Sequence, residues 1–258
     1  MRPRSPLREV GVVYLVVAGL TFGITRLRDI PPATDYVHLL VAALFLLVAL
    51  KLAQREPGGM RRHGIDLAGL LSPPEEEDAD ASGAQRPAGP LGLLDLLRAV
   101  RDAMPAAIRE GTVAMVVALA IFPAFALGFA LYHQPERPFV WPPQELGDFA
   151  SFVATQLVVV ALPEEALFRG WFQTRLGDAF PRTHRLLGTD VSIPALVGQA
   201  ALFAVVHFVV DFSPARLAVF FPGLLFGWLR VWRGGIGAPI LLHAASNVYA
   251  DILVRGWL

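Results

Sequence analysis

The stretch TVAMVVALAIFPAFALGFALY, residues 112–132, runs for 21 residues without a charged side chain. As a helix rising ~1.5 Å per residue, it is long enough to cross the ~30 Å hydrocarbon core of a bilayer. It does not stand alone. VGVVYLVVAGLTFGIT (10–25) and YVHLLVAALFLLVALKLA (36–53) have the same character, and four more windows follow at about 149–174, 193–210, 215–232 and 236–254. Of the 258 residues 55% are hydrophobic and 17% charged, and the mean hydropathy is +0.53. Soluble domains carry more charge, ~25%. The sequence therefore predicts an all-α fold, a polytopic membrane helix bundle of about seven transmembrane helices.

The first window follows Arg2, Arg4 and Arg8 as a secretory leader would. No small-x-small cleavage site ends it, however, and Arg26 and Arg28 come directly after, so it reads as a retained span. The absence of cysteine excludes disulfides, haem attachment and thiolate metal sites. A single lysine beside 21 arginines is the codon bias of a GC-rich genome. No glycine-rich phosphate loop or internal repeat is present, and nothing points to nucleic acid as a partner.

Basic residues are retained on the cytoplasmic side of a membrane. With the N-terminus inside, sixteen Lys and Arg fall in inner segments and five in outer ones, with Arg169 left inside a span. The expectation is a multi-pass protein of the bacterial cytoplasmic (inner) membrane, N-terminus cytoplasmic and C-terminus periplasmic, with membrane lipids as constant partners.

Composition divides the chain further. Residues 1–70 hold a helix pair and the start of a long inner loop. LSPPEEEDADASGAQRPAGP (71–90), rich in Pro, Gly, Ala and acid, reads as a flexible linker. LGLLDLLRAVRDAM (91–104) puts leucines on one helical face and Asp95, Arg98, Arg101 and Asp102 on the other. Residues 91–110 thus form either a helix lying in the membrane interface or an amphipathic helix packed on the bundle. Residues 111–258 make the transmembrane bundle, its four-helix catalytic core near 149–254.

An ionisable residue within a span costs at least ~2.5–3.5 kcal/mol and normally faces an interior site. Here they cluster late. LPEEALFRGWF (162–172) carries Glu164, Glu165 and Arg169; the next span carries His207, and the last His243 and Asn247. Glu165 and Arg169 are four apart, acid before base, and can pair on one face. Glu164 lies ~100° around the helix and points elsewhere. One carboxylate is therefore structural and the other free. Phe203 and His207 make a second i, i+4 stripe, extended back by Gln199. His243 and Asn247 make a third, with Asp251 beyond. A free carboxylate, imidazoles and a carboxamide are the groups that activate a water and hold an oxyanion. The same intramembrane Glu and His also suit a proton or ion path, against which no inverted repeat is visible. His38 and His133 read as packing or interfacial residues.

The motifs EEALFRG (164–170), FAVVH (203–207) and APILLHAASN (238–247) resemble those of the CPBP (CAAX protease and bacteriocin-processing) intramembrane proteases: EExxxR, FxxxH and HxxxN on successive core helices. FFPGLLFGWLRVWRGGIGAPILLH (220–243) is similar to that family's sixth-to-seventh helix stretch. The resemblance implies an intramembrane endopeptidase in which Glu164 and His207 activate water. It further implies that His243 and Asn247 stabilise the oxyanion and that Glu165 and Arg169 order the site. Phe203, one turn before His207, is the candidate substrate contact. The family is described both as glutamic-type and as metal-dependent. The lack of two histidines one turn apart, as in HExxH, favours a glutamic-type reaction with no cofactor. Glu164, His207 and His243 are the ligand set of the zinc alternative. The N-terminal helices, the acidic linker and LPEEALFRGWFQ resemble the myxosortase subgroup. That implies membrane-anchored protein substrates with a C-terminal sorting helix. A non-proteolytic immunity or scaffold protein using the same cavity is the alternative from another class.

Overall fold

The computed structural model describes residues 5–67, 93–143 and 145–258. The linker predicted at 71–90 lies outside the described residues, as do Leu91 and Gly92. Seven of the described helices are long and apolar enough to cross a membrane. They fall where the seven apolar windows predict. The only strands among the described residues form a short hairpin.

In chain order the elements are α1 (Pro6–Thr25), α2 (Val37–Gln54) and the single turn α3 (Gly59–Arg62). Then come α4 (Leu93–His133) and α5 (Leu146–Ala179). The hairpin β1 (His184–Leu186) and β2 (Thr189–Val191) leads to α6 (Ile193–Asp211), α7 (Phe220–Arg233) and α8 (Gly237–Trp257). Local chemistry sets several ends. Ser192 caps α6, its Oγ accepting from the Ala195 N–H, and Pro194 sits in the first turn where no donor is missed. Gly234, at φ +76°, stops α7 in the left-handed region and lets α8 begin almost at once.

One boundary differs from the sequence reading. The amphipathic stretch of 91–110 and the third span are not two elements, since α4 runs through both and through Pro105 and Pro123. Residues such as Ala106, Ala107 and Ile108 continue the helix past Pro105, where the proline removes a single backbone bond. At ~1.5 Å per residue α4 is ~60 Å long, twice the hydrocarbon thickness.

Helix α5 is the axis of the bundle. Its interior bends through two widened π stretches, Gln156–Ala161 and Ala166–Phe172, on either side of the turn Leu162–Glu165. Pro163 cannot donate to the turn before it, where the first stretch lies. Helices α1 and α2 cover one side of α5, α6 and α8 pack on others, and α4 lies against α8. Phe168, Trp171, Phe172 and Leu167 are fully buried in the main core, with Phe45 of α2 meeting Phe168 edge-on. Glycines permit the closest approaches. A Cβ on Gly227 of α7 would stand 2.4 Å from Gln199 Nε2 and 2.8 Å from Leu196 of α6. Gln199 uses that closeness to donate to Gly223 O at 2.9 Å, so it fastens α6 to α7 and is fully buried.

The segment after α2 wedges under the same helix. A Cβ on Gly170 would meet Ile65 at 2.6 Å, and Ile65 and His63 are both fully buried. His63 contacts Gly170 O through Nδ1 at 3.3 Å and Glu56 through Nε2 at 3.2 Å. Glu56 also accepts from Trp171 Nε1, and Ile236 N–H donates to Gly64 O. Burial holds the His63 pKa below the ordinary histidine value, against the opposing pull of Glu56. The unfolded chain therefore binds a proton at this position more readily than the folded one. This contribution to stability is complete above the unfolded pKa of ~6.5 and declines as pH falls through it, by at most ~1.4 kcal/mol per pH unit. Thermal unfolding in detergent between about pH 7.5 and 5.5 should show a falling midpoint for wild type and a flatter profile for His63→Gln. Parallel profiles would remove His63 as the cause.

Candidate active site

Sequence places the six charged or polar site residues on three spans, and the fold brings most of them to one place. Glu164 and Glu165 sit on the turn between the two π stretches of α5, a backbone irregularity often found at functional sites. Glu165 Oε1 is 3.0 Å from Arg169 Nη1, and both side chains are fully buried. The same Oε1 lies 2.8 Å from His243 Nδ1 on α8. A carboxylate only accepts here, so Nδ1–H donates and Nε2 is turned the other way. That Nε2 stands 3.7 Å from Glu164 Oε2.

His207, on α6, approaches from the opposite side. Its Nδ1 lies 2.9 Å from Phe203 O, one turn earlier, and must donate because a carbonyl cannot. Its Nε2 then faces Glu164 Oε2 at 3.9 Å. Glu164 Oε2 is buried and has no hydrogen-bond partner among the described residues. At 3.7 and 3.9 Å neither imidazole bonds to it directly, and both lie at separations that a shared water bridges. The three side chains are 16%, 21% and 7% exposed for Glu164, His207 and His243, so the group is nearly closed yet reachable.

Asn247 lies one turn beyond His243 on α8, where its Nδ2 donates to Gln156 Oε1 at 2.9 Å. That leaves its second N–H unused by this bond. Phe203 lies against the site residues. Its ring meets His207 at 4.4 Å and His243 at 6.1 Å, and Arg169 lies over its face at 4.1 Å.

Two contributors were not singled out from the sequence. Gln156 holds Asn247 from a position 91 residues earlier. Its only local signal is a carboxamide entering the apolar run QLVVVAL. Phe226 of α7 stacks on His243 at 5.1 Å and lies 5.3 Å from the Arg169 guanidinium, so Arg169 is clamped between two aromatic rings. Phenylalanine in an apolar span carries no such signal. Asp251, in contrast, pairs with Arg255 and takes no part.

The arrangement can also be weighed as a metal site. Both Nδ1 atoms are held, by Phe203 O and Glu165, as the outer nitrogens of zinc-bound histidines are. Spacing argues the other way. Bonds of ~2.0–2.2 Å at tetrahedral angles set ligand atoms ~3.3–3.6 Å apart, slightly closer than the atoms here. Among the described residues no group of three His, Cys, Asp or Glu has the geometry to hold a metal ion.

Fold and site together define the class first: a multi-pass membrane protein with a buried glutamate faced by two histidines from neighbouring spans. Residues 146–249 match the model of a family described as type II CAAX prenyl endopeptidase Rce1-like, which is consistent with the CPBP resemblance of the three motifs. The matched stretch contains every site residue named above. No curated protein and no solved structure matches the chain.

Proposed function

We propose that this protein is an intramembrane endopeptidase of the CAAX type that hydrolyses a peptide bond near the C-terminal region of membrane-anchored proteins. The observation that carries the reading is the buried, unpartnered Glu164 Oε2 between two imidazole nitrogens at 3.7 and 3.9 Å. A water held there gives its proton to Glu164 while His207 Nε2 accepts its second hydrogen bond. The water oxygen attacks the scissile carbonyl carbon. His243 can donate from Nε2 to the resulting oxyanion only with both ring nitrogens protonated, and Glu165, bonded to Nδ1, supplies the negative charge that this form requires while Glu164 carries the water's proton. The second Asn247 N–H is the other donor. Glu164 then returns its proton to the leaving amine as the C–N bond breaks.

Glu165 and Arg169 order this machinery: Arg169 pairs with Glu165, and Glu165 fixes the His243 ring. No metal enters the reaction. Similarity to the myxosortase subgroup supports substrates bearing a C-terminal sorting helix. The decisive test is cleavage of a tagged substrate helix by purified wild-type and Glu164→Gln protein, with the substrate found by comparing surface-protein C-termini between wild-type and Glu164→Ala cells. Loss of cleavage is the expected result, and full activity of Glu164→Gln would leave a binding role.

The membrane placement proposed is the bacterial inner membrane with a cytoplasmic N-terminus. A reporter fused after Arg62 should read cytoplasmic, and one fused after Leu258 external. A cytoplasmic signal at Leu258 would contradict this orientation.

A further inference from the structure

Away from the catalytic group, a cavity of about 240 Å³ opens where α5 ends, α6 begins and α7 ends. Its lining includes Arg62, Arg182, Arg230, Gln173, Thr174 and Ser192. Arg62 and Arg182 are exposed at the rim, whereas Arg230 is 7% exposed. Arg230 Nη2 lies 3.3 Å from both Arg62 O and Thr174 Oγ1, but its Nε is buried without a partner. No carboxylate among the described residues pairs with Arg230 or Arg182, and the two arginines are close enough to repel each other. The one carboxylate lining the cavity, Asp178, is already engaged by Arg62 and Arg175. The N-terminal turn of α6 adds its partial positive charge at Ser192 and Ala195. A buried cation is normally neutralised, because an unpaired one is costly.

The surroundings say where the missing negative charge comes from. All three walls are ends of helices long and apolar enough to cross a membrane, and such ends lie where lipid headgroups begin. Trp228 and Trp232 of α7 stack at 5.1 Å beside it, the pattern of an interfacial aromatic belt. Trp228 Nε1 donates to Leu186 O of the hairpin, whose neighbouring Leu187 is 78% exposed, an apolar tip suited to the interface. The cavity is smaller than the ~300–1,000 Å³ of drug-sized sites and suits a headgroup.

We propose that this cavity binds the phosphate of an anionic phospholipid, with Arg230 beneath it and Arg182 at the rim. Basic pockets between spans bind such headgroups by charge-assisted hydrogen bonds. The test uses the full-length protein in non-ionic detergent, its thermal unfolding followed against short-chain phosphatidylglycerol, short-chain phosphatidylcholine or inorganic phosphate at constant ionic strength. Phosphatidylglycerol should raise the midpoint saturably, and the other two should not. Arg182→Gln, an exposed change that the fold tolerates, should weaken the apparent affinity about tenfold, the loss of one charge-assisted bond. Arg28→Gln, in the loop between α1 and α2, should leave it unchanged. Arg230→Gln should weaken it further where that variant folds. Equal stabilisation by phosphatidylcholine, or an unaltered response in Arg182→Gln, overturns the proposal. Equal stabilisation by inorganic phosphate overturns the lipid as ligand and leaves a site for the free oxyanion. Because the readout is binding, it stands or falls separately from proteolysis.

Discussion

Glu164→Gln should yield a folded protein that cleaves its substrate at least ~10²-fold more slowly than wild type, the low end of what a general base contributes. Glutamine keeps the shape of the side chain and removes its basicity. The loss should appear in turnover, with substrate binding retained, because the carboxylate acts on the water. His207→Ala should fall similarly, since its Nε2, at 3.9 Å from Glu164, shares the same water. Asn247→Ala should cost about 10²–10³ in turnover, the range for one oxyanion donor. Chelators should leave the wild type active. Cleavage abolished by a chelator and restored by zinc would keep the protease and discard the glutamic-type reaction.

The second large effect concerns stability. Arg169→Ala removes the guanidinium paired with Glu165, in a place where both side chains are fully buried. An uncompensated carboxylate there should cost ~3–5 kcal/mol, enough to lower the amount of protein recovered from membranes. The guanidinium is also clamped between Phe203 and Phe226, so Arg169→Lys should rescue only in part: it restores the charge without the planar stacking. Adding Glu165→Gln to Arg169→Ala should recover part of the stability, because the orphaned charge is gone, while activity stays low without a carboxylate on His243 Nδ1. An abundant Arg169→Ala protein that melts with the wild type would remove the pair from any structural role.

The seven spans were legible because each is a long apolar run, and in a membrane that alone dictates a helix. Helix spacing was enough to pair Glu165 with Arg169 and to turn Glu164 elsewhere, since that contact lies about one turn away. It could not show that Glu165 serves His243 as well as Arg169, a contact between residues 78 apart. Nor could it pair Gln156 with Asn247, or put Phe226 against His243. Those meetings come from how α5, α7 and α8 pack. The π stretches of α5 were hidden for another reason: apolar residues in lipid carry no periodicity that distinguishes a widened turn from an ordinary one.

Ile65 under Gly170, and Phe45 against Phe168, have a consequence for how this protein can be divided. The stretch 146–249 contains every residue of the candidate site, yet it is not a portable cassette. Cut out alone, it would lose α1, α2 and the wedge of Glu56, His63 and Ile65, and would bare the Phe168, Trp171 and Phe172 face of the helix that carries both glutamates. Chimeras that graft this stretch onto foreign leading helices would have to rebuild that seat before they could inherit the chemistry.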